Sequence, residues 1–369
     1  MPSPQTASGA PLATPTEAAL VSVVVPTYQA KEFLIELCAS LAAQTYPHFE
    51  VLILSDGCDD HLQPGLDQFR SDSRFHFDAW TPNRGVGATT AKLFERVGGD
   101  YWCHPGADDL LSPEFIERRL EIMQRAPDVD VIFGQGIQID ETGKEFWYHA
   151  ARVLSERLAA FDGQIIEPRR MLRLLLQENF VNVPSVFCRT ATTLEIVRRI
   201  GQWRFGQDMQ MWLMLAGAGR RFYYDHRIFH SYRMHSGQLS QAPELTSQGF
   251  AEFRLMPLLA LRQAAQSSEL AGECLKTWGT DLYALWVARA ASMVRRRVFK
   301  WEWHWQAAEA YHGRRLSKPL ALLDFVRVLP RGVKLHREEA KRAEKQIYVN
   351  GLRKIDDPIF RLPSQPPEA

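Results

Sequence analysis

The 369-residue sequence has few cysteines, no long apolar run and almost no net charge, and each shortage removes a class of protein. Cys38, Cys58, Cys103, Cys188 and Cys274 are scattered and form no Cys-x-x-Cys pair, which excludes the usual zinc spacing and a disulfide framework and fits a reducing cytoplasm. No window carries the roughly 18 uncharged apolar residues of a spanning helix, and the N-terminus lacks the basic start and apolar stretch of a signal peptide. The expectation is a cytoplasmic protein, at most peripheral at the inner face of a membrane. A formal charge of +1 excludes the basic footprint of general nucleic-acid binding. The Gly-x-Gly-x-x-Gly turn of dinucleotide binding is missing where Pro26-Thr27-Tyr28-Gln29 follows the first predicted strand, which removes the main support for hydride transfer.

What is present is an alternation of strand and helix. Residues 1–18, rich in Pro, Ser, Thr and Ala, read as a flexible tail because they hold too little apolar surface to offset ordering. From Val21 onward, short apolar runs read as buried strands: Ser22-Val23-Val24-Val25, Val51-Leu52-Ile53-Leu54, Phe75-His76-Phe77 and Tyr101-Trp102-Cys103. Between them, Phe33, Leu34, Leu37 and Leu41, and later Phe115, Ile116, Leu120 and Met123, recur at helical steps. Val129 to Gly134 predicts a further strand, and Asp140-Glu141-Thr142-Gly143-Lys144 a hairpin-like turn. The pattern predicts an α/β fold, a mixed but mainly parallel sheet flanked by helices, with ligands beyond the carboxyl ends of the strands. Residues 246–348 predict a helical extension and 349–369 a Pro-containing tail. Residues 281–345 hold fifteen Lys and Arg against seven Asp and Glu.

The residues that follow the strands carry the chemistry. Asp56, in Ser55-Asp56-Gly57-Cys58-Asp59-Asp60, either accepts the ring N–H of a uracil-type base or caps the next helix. His104-Pro105-Gly106-Ala107-Asp108-Asp109 places adjacent carboxylates at a strand end. That arrangement is costly without a cation and favourable around a divalent metal bridging a diphosphate, unless it is an ordinary turn before a helix begun at Pro113. Asp108 is the first metal-ligand candidate, with Asp109 beside it.

With these motifs in place, the sequence resembles glycosyltransferase family 2, whose donor domain has the GT-A fold, from about Val21 to Ser240. Val23-Val24-Val25-Pro26-Thr27-Tyr28 is similar to the family's opening strand and loop. Ser40-Leu41-Ala42-Ala43-Gln44-Thr45-Tyr46-Pro47 resembles the end of its first helix. Phe49 to Gly57 is similar to its strand ending in Asp-Asp-Gly-Ser, with Ser55 and Cys58 as departures. Asn83-Arg84-Gly85 resembles its Asn-x-Gly motif, and Gly99-Asp100-Tyr101 its approach to the metal-binding strand. The resemblance implies that Pro26, Thr27, Tyr28, Asp56, Asn83, Gly85 and Asp108 form the donor site.

Gly206-Gln207-Asp208-Met209 resembles the family's Glu-Asp segment with Gln207 in place of Glu, which implies Asp208 as catalytic base. Phe229 to Ser240 resembles its Tyr-Arg-x-His ending, which implies His235 as a metal or diphosphate contact. Where the family often has Asp-x-Asp-Asp, this chain has Gly106-Ala107-Asp108-Asp109. Where many members have an arginine after Asn-x-Gly, it has Thr90, so Lys92 or Arg233 becomes the expected cation for the diphosphate.

The resemblance implies a GT-A-like domain over 19–245, with a donor half at about 19–125 and an acceptor half at about 126–245. It implies an inverting, metal-dependent transferase that uses Mg²⁺ or Mn²⁺, a nucleotide-sugar donor (UDP-sugar favoured) and a saccharide or lipid-linked acceptor in polysaccharide biosynthesis. The competing reading is a nucleotide-sugar-binding assembly protein without turnover. Arg295-Arg296-Arg297 and the aromatics from Phe299 to Trp305 read either as a peripheral membrane contact or as an ordinary helical extension packed on the catalytic domain.

Overall fold

The computed structural model describes residues 18–146, 158–176, 179–200, 206–239, 248–295 and 301–349. The tails expected at 1–18 and 349–369 fall almost wholly outside them, as do Ser240, Arg296, Arg297 and Phe299. The strands are β1 Val21–Thr27, β2 Phe49–Asp56, β3 Phe75–Trp80, β4 Tyr101–Cys103, β5 Leu110–Leu111, β6 Val131–Gly134, β7 Ile137–Ile139, β8 Glu145–Phe146, β9 Ile165–Ile166, β10 Phe187–Arg189, β11 Phe222–Asp225 and β12 His230–Arg233. The helices are α1 Glu32–Ala42, α2 Asp67–Arg70, α3 Val86–Phe94, α4 Phe115–Arg125, α5 Pro168–Leu175, α6 Thr190–Val197, α7 Gln207–Gly217, α8 Gln248–Ala264, α9 Glu269–Arg295, α10 Trp301–His312 and α11 Lys318–Val349.

Eight strands form one sheet in the order β3-β2-β1-β4-β10-β6-β11-β9. The strands β3, β2, β1 and β4 run parallel, β10 is antiparallel to both β4 and β6, and β11 is again parallel to β6. The expected mixed, mainly parallel sheet is therefore present, with helices on both faces and a helical C-terminal region. A smaller sheet, β5-β12-β7-β8, stands beside it. Its β7–β8 hairpin turns where Asp140 Oδ1 accepts the N–H groups of Thr142 and Lys144 at 2.9 and 3.0 Å.

Strand pleating explains the two cores. Val23, Val25, Val51 and Ile53 point to one face and pack with Leu34 and Leu37 of α1 and Phe115 and Ile116 of α4. Val24, Leu52 and Leu54 point to the other and join Phe94 of α3, Trp212 of α7, Leu258 of α8 and Trp286 of α9 in one continuous cluster. Each such side chain, fully buried, contributes about 1.5–3 kcal/mol. The C-terminal helices are thus layered on the sheet through α7: α8 packs on α7, α9 on α8, and α11 on α9. Because β1, β2 and β4 are parallel neighbours, the segments leaving their carboxyl ends lie along one edge of the sheet.

Candidate active site

At the end of β1, Thr27 is buried and its hydroxyl donates to Asp60 Oδ2 at 2.6 Å. The same carboxylate accepts the N–H groups of Ala30 (2.9 Å) and Lys31 (3.2 Å). Asp60 therefore shapes the loop in which Gln29 and Lys31 take positive φ, a conformation that side-chain-bearing residues adopt only when their surroundings impose it. Pro26 is half-buried and Tyr28 projects outward, 53% exposed.

At the end of β2, Asp56 pairs in register with Trp80 of β3. Its Oδ1 accepts Trp80 Nε1–H and the Arg84 N–H, both at 2.7 Å, and its Oδ2 accepts the Gly85 N–H at 2.8 Å. Asn83 Nδ2 donates to the Asp56 carbonyl at 3.0 Å. Three of the roughly four acceptor positions of the carboxylate are thus filled by protein, leaving one for a ligand. Gly57 lies under this loop at φ +71°, and a Cβ there would stand 2.4 Å from Asn83 N, so the turn requires glycine. The Arg84 guanidinium stacks on the Trp80 ring at 4.4 Å.

Beyond β4, the His104 Nδ1–H donates to the Val24 carbonyl at 3.0 Å, and burial pushes the imidazole pKa down to about 4. Asp109 is buried. Its Oδ2 accepts the Gly106 N–H at 3.1 Å and its Oδ1 the Arg233 N–H at 3.0 Å. Burial first, then the neighbouring Asp108 charge, raise its carboxyl pKa well above the usual range against those two donors. Antiparallel pairing of β5 with β12 delivers the segment after β12 to this turn. There His235 Nε2 meets Asp108 Oδ2 at 3.0 Å, and Gln238 Oε1 accepts the His235 N–H at 3.2 Å. A Cβ at Gly106 would lie 2.6 Å from both Asp108 Oδ1 and Asp109 Oδ2, so as the carboxylates stand there is no space for the carboxylate that many relatives of the motif carry at this position.

Of the two expected diphosphate cations, Arg233 is committed inside the protein and Lys92 stays exposed. Arg233 is fully buried: Nε donates to the Asp108 carbonyl at 2.9 Å, Nη1 to the carbonyls of Asp140 and Glu141, and Nη2 to Glu36 Oε2 at 2.5 Å. Its planar fork ties α1, the turn after β4 and the hairpin together, which corrects the expectation of a phosphate contact. Lys92, on the last turn of α3, is bonded to Glu95 at 2.6 Å.

Asp208 sits in the first turn of α7, where the helix N-terminus favours negative charge. Asn179 Nδ2 donates to its Oδ2 at 2.8 Å. Desolvation nevertheless dominates and raises the carboxyl pKa, with the Asn179 hydrogen bond the largest opposing influence. Asn179 Oδ1 is buried with no partner among the described residues. A few residues on, the 3₁₀ turn Val183–Ser185 packs against β12, the strand that leads to His235.

The structure therefore brings Thr27 to Asp60, gathers Asp56 with Asn83 and Gly85, and unites Asp108, Asp109 and His235. Asp208 is held separately by Asn179. The sequence reading missed Asp60, Trp80, Asn179 and Gln238 as partners of these residues. Asp60 alone had a local signal, as a second carboxylate a few residues after Asp56; the others come from distant segments. The pair Asp108–His235 offers one carboxylate and one imidazole near the surface, a donor set that suits Mg²⁺ or Mn²⁺ beside phosphate oxygens. Among the described residues, the acidic and histidine group with all ligand atoms within 4.8 Å is instead Asp162, Asp225 and His226. Asp225 already bonds the guanidinium groups of buried Arg119 (2.8 Å) and Arg227 (2.9 Å), whose charges oppose a cation there.

Comparison with known proteins bears on the family and the fold. Residues 22–193 match the family described as Glycosyl transferase family 2. Over that stretch the chain is similar to glycosyl transferase family 2. The match begins in β1 and ends in α6, so it includes the clusters around Asp56 and Asp108 and stops before Asp208. The Bacillus subtilis glycosyltransferase TuaG, named for teichuronic acid biosynthesis, is 25% identical over 223 residues, 60% of this chain and 81% of TuaG. The uncharacterized Rickettsia typhi glycosyltransferase RT0329 is 23% identical over 228 residues, 60% of this chain and 66% of its own. In structure, residues 1–349 of Staphylococcus aureus TarS, in complex with UDP-GlcNAc, superpose with a TM-score of 0.55 at 18% identity, covering 84% of this chain and 81% of that one. At that identity the likeness concerns the fold, which is shared across the GT-A-like sheet and into the C-terminal helices.

Proposed function

We propose that this chain is a family 2 glycosyltransferase that moves a sugar from a nucleotide-sugar donor, with a UDP-sugar favoured, to a hydroxyl acceptor with inversion, in the assembly of a cell-surface or extracellular polysaccharide. The observation that carries the reading is Asp208: a desolvated carboxyl at a helix N-terminus, oriented by one amide donor, in the same half of the fold as His235. A carboxylate with a raised pKa is a better proton acceptor than an ordinary surface aspartate, as general-base catalysis near neutral pH requires. The UDP-GlcNAc complex of TarS supports the donor class, and the naming of TuaG for teichuronic acid biosynthesis supports a polysaccharide product.

The chain's own groups divide the work. Asp56, with Asn83 and Gly85 fixed against it, keeps one acceptor position for the ring N–H of the base, and Thr27, in register with Ser55, brings Tyr28 to the neighbouring strand end. Asp108 and His235, with Asp109 behind them, would hold a divalent Mg²⁺ or Mn²⁺, which when bound neutralises charge on the leaving diphosphate. Asp208 takes the proton of the acceptor hydroxyl. The acceptor oxygen forms its bond to the anomeric carbon as the carbon–oxygen bond to the diphosphate breaks, the electron pair leaving with the diphosphate. Attack opposite the leaving group inverts the configuration.

The test is Asp208→Asn. Donor affinity, read by calorimetry with UDP-sugars and Mn²⁺, should stay within about twofold, while transfer falls roughly 10²-fold or more, the usual scale for a positioned base. Wild-type turnover in the variant removes Asp208 from the role, and retained anomeric configuration by NMR overturns inversion. Donor binding with no transfer or donor hydrolysis in the wild type would instead support the assembly-protein reading suggested by Gly106.

A further inference from the structure

The stretch from Arg295 to Trp305, read from the sequence either as a membrane contact or as a packed helical extension, has His304 and Trp305 turned inward and Glu302 exposed. His304 is buried and its Nε2–H donates to the Ala321 carbonyl at 3.0 Å, and Trp305 is half-buried beneath Lys318 Nζ at 5.0 Å. The outward apolar surface lies elsewhere. Of eleven exposed large apolar side chains among the described residues, five are on α11 between Leu320 and Val333, a concentration that single scattered surface residues do not explain.

Helix α11 has two apolar faces. Ala321, Phe325, Val328 and Gly332 recur at helical steps and turn toward α9, where Gly332 lies so close that a Cβ would stand 1.9 Å from the Ala284 carbonyl oxygen. Leu322, Val326 and Val333, with Leu323 beside them, recur on the opposite side and are exposed, Leu323 by 67% and Val326 by 62%. That second face continues into Arg327, Lys334 and Arg337, all exposed and none paired with a carboxylate among the described residues. Asp324, the acid in the middle of this stretch, is turned inward and accepts from Tyr283 Oη at 2.7 Å while meeting His312 Nε2 at 2.9 Å. An apolar stripe bordered by three unpaired cations results, with the partly exposed Glu338 only after Arg337, on a chain whose overall charge is only +1.

We propose that this face of α11 docks the enzyme on an anionic bilayer surface, with Leu322, Leu323, Val326 and Val333 in the headgroup–acyl boundary and Arg327, Lys334 and Arg337 on lipid phosphates. Charge selects this occupant over a second copy of the chain. A two-fold self-contact through the stripe would bring Arg327, Lys334 and Arg337 of both copies together, like against like, whereas an anionic membrane complements the whole row. The linkage α11–α9–α8–α7 also joins this surface to the helix that carries Asp208, so docking would hold the catalytic layer at the membrane.

Flotation of the full-length chain with vesicles tests this. Binding is expected to phosphatidylglycerol-containing vesicles and to weaken with salt, with little binding to phosphatidylcholine alone. The triple variant Arg327→Gln, Lys334→Gln, Arg337→Gln should bind about a hundredfold more weakly, the scale of three surface cations near an anionic leaflet. Leu323→Ser with Val326→Ser should also release the protein. All five side chains are exposed, so circular-dichroism melts should match the wild type, and single substitutions serve if a multiple variant melts early. Equal binding to both vesicle types, or charge and serine variants that bind as the wild type does, would overturn the proposal. So would a dimer by light scattering that Leu323→Ser abolishes while vesicles remain unbound.

Discussion

The Asn179–Asp208 hydrogen bond allows a prediction in which catalysis and stability separate. Asn179→Leu removes the 2.8 Å donor to Asp208 Oδ2 and also a buried Oδ1 that has no partner among the described residues. A hydrogen bond to a charged acceptor is worth about 1.5–3 kcal/mol, and an unsatisfied buried acceptor costs about 1–3 kcal/mol, so the two losses nearly offset in folding stability. They do not offset in titration. The amide favours the ionised carboxylate over the protonated acid, so its removal raises the Asp208 pKa further. The acid limb of kcat should move to higher pH. Below both limbs turnover should fall about 10–100-fold, and well above both it should approach the wild-type value. The assay is the pH profile of kcat at saturating donor and acceptor, beside the donor KM, which should not move. A turnover loss of equal size at every pH would refute the electrostatic reasoning and leave Asn179 with a packing role. Unchanged kinetics would remove it altogether.

Two further outcomes follow from buried geometry. Gly106→Ala should cost about 1–3 kcal/mol in urea unfolding, because its Cβ meets both carboxylates of the Asp108–Asp109 turn at 2.6 Å, and Gly106→Asp should cost more by adding a third negative group; wild-type stability in the alanine variant would show that the turn relaxes freely. His104 is held neutral, with a folded pKa of about 4 against about 6.5 unfolded, so stability should be intact above pH 6.5 and decline as pH falls toward 4, by about 3 kcal/mol once the unfolded chain alone has taken the proton. His104→Asn keeps an N–H for the Val24 carbonyl without titrating and should flatten that decline in pH-dependent melts; an unchanged slope would assign the acid loss to other groups.

Much of the architecture was legible because it is local. The valines of β1, the apolar run of β2 and the three- and four-residue steps of α1 and α4 declare their periods in the sequence, and the aspartate and glycine of 140–144 declare a turn. The motif residues Asp56 and Asp108 were visible for the same reason: each directly follows a strand. The reach of the sheet was less legible. The third strand runs on to Trp80, beyond the Phe75–Phe77 run, since Trp80 is fixed by its pairing with Asp56 rather than by its neighbours. Arg233 was misjudged because its sequence context is that of a ligand-binding ending, whereas its surroundings are Glu36, the Asp108 carbonyl and two hairpin carbonyls from three distant segments.

Composition and local pattern alone determined the strand–helix alternation, the absence of a spanning helix and the candidate carboxylates, because those depend on residue type and spacing within one turn or strand. Tertiary structure decided which of those groups meet. It pairs Asp108 with His235 by placing β12 beside β5, gives Asp208 an amide from residue 179, spends the charge of Arg233 inside the protein, and turns one apolar face of α11 outward while Gly332 draws the other onto α9. Contacts of that kind join segments tens to hundreds of residues apart, and burial and charge pairing act on distance in space, which the order of residues along the chain does not state.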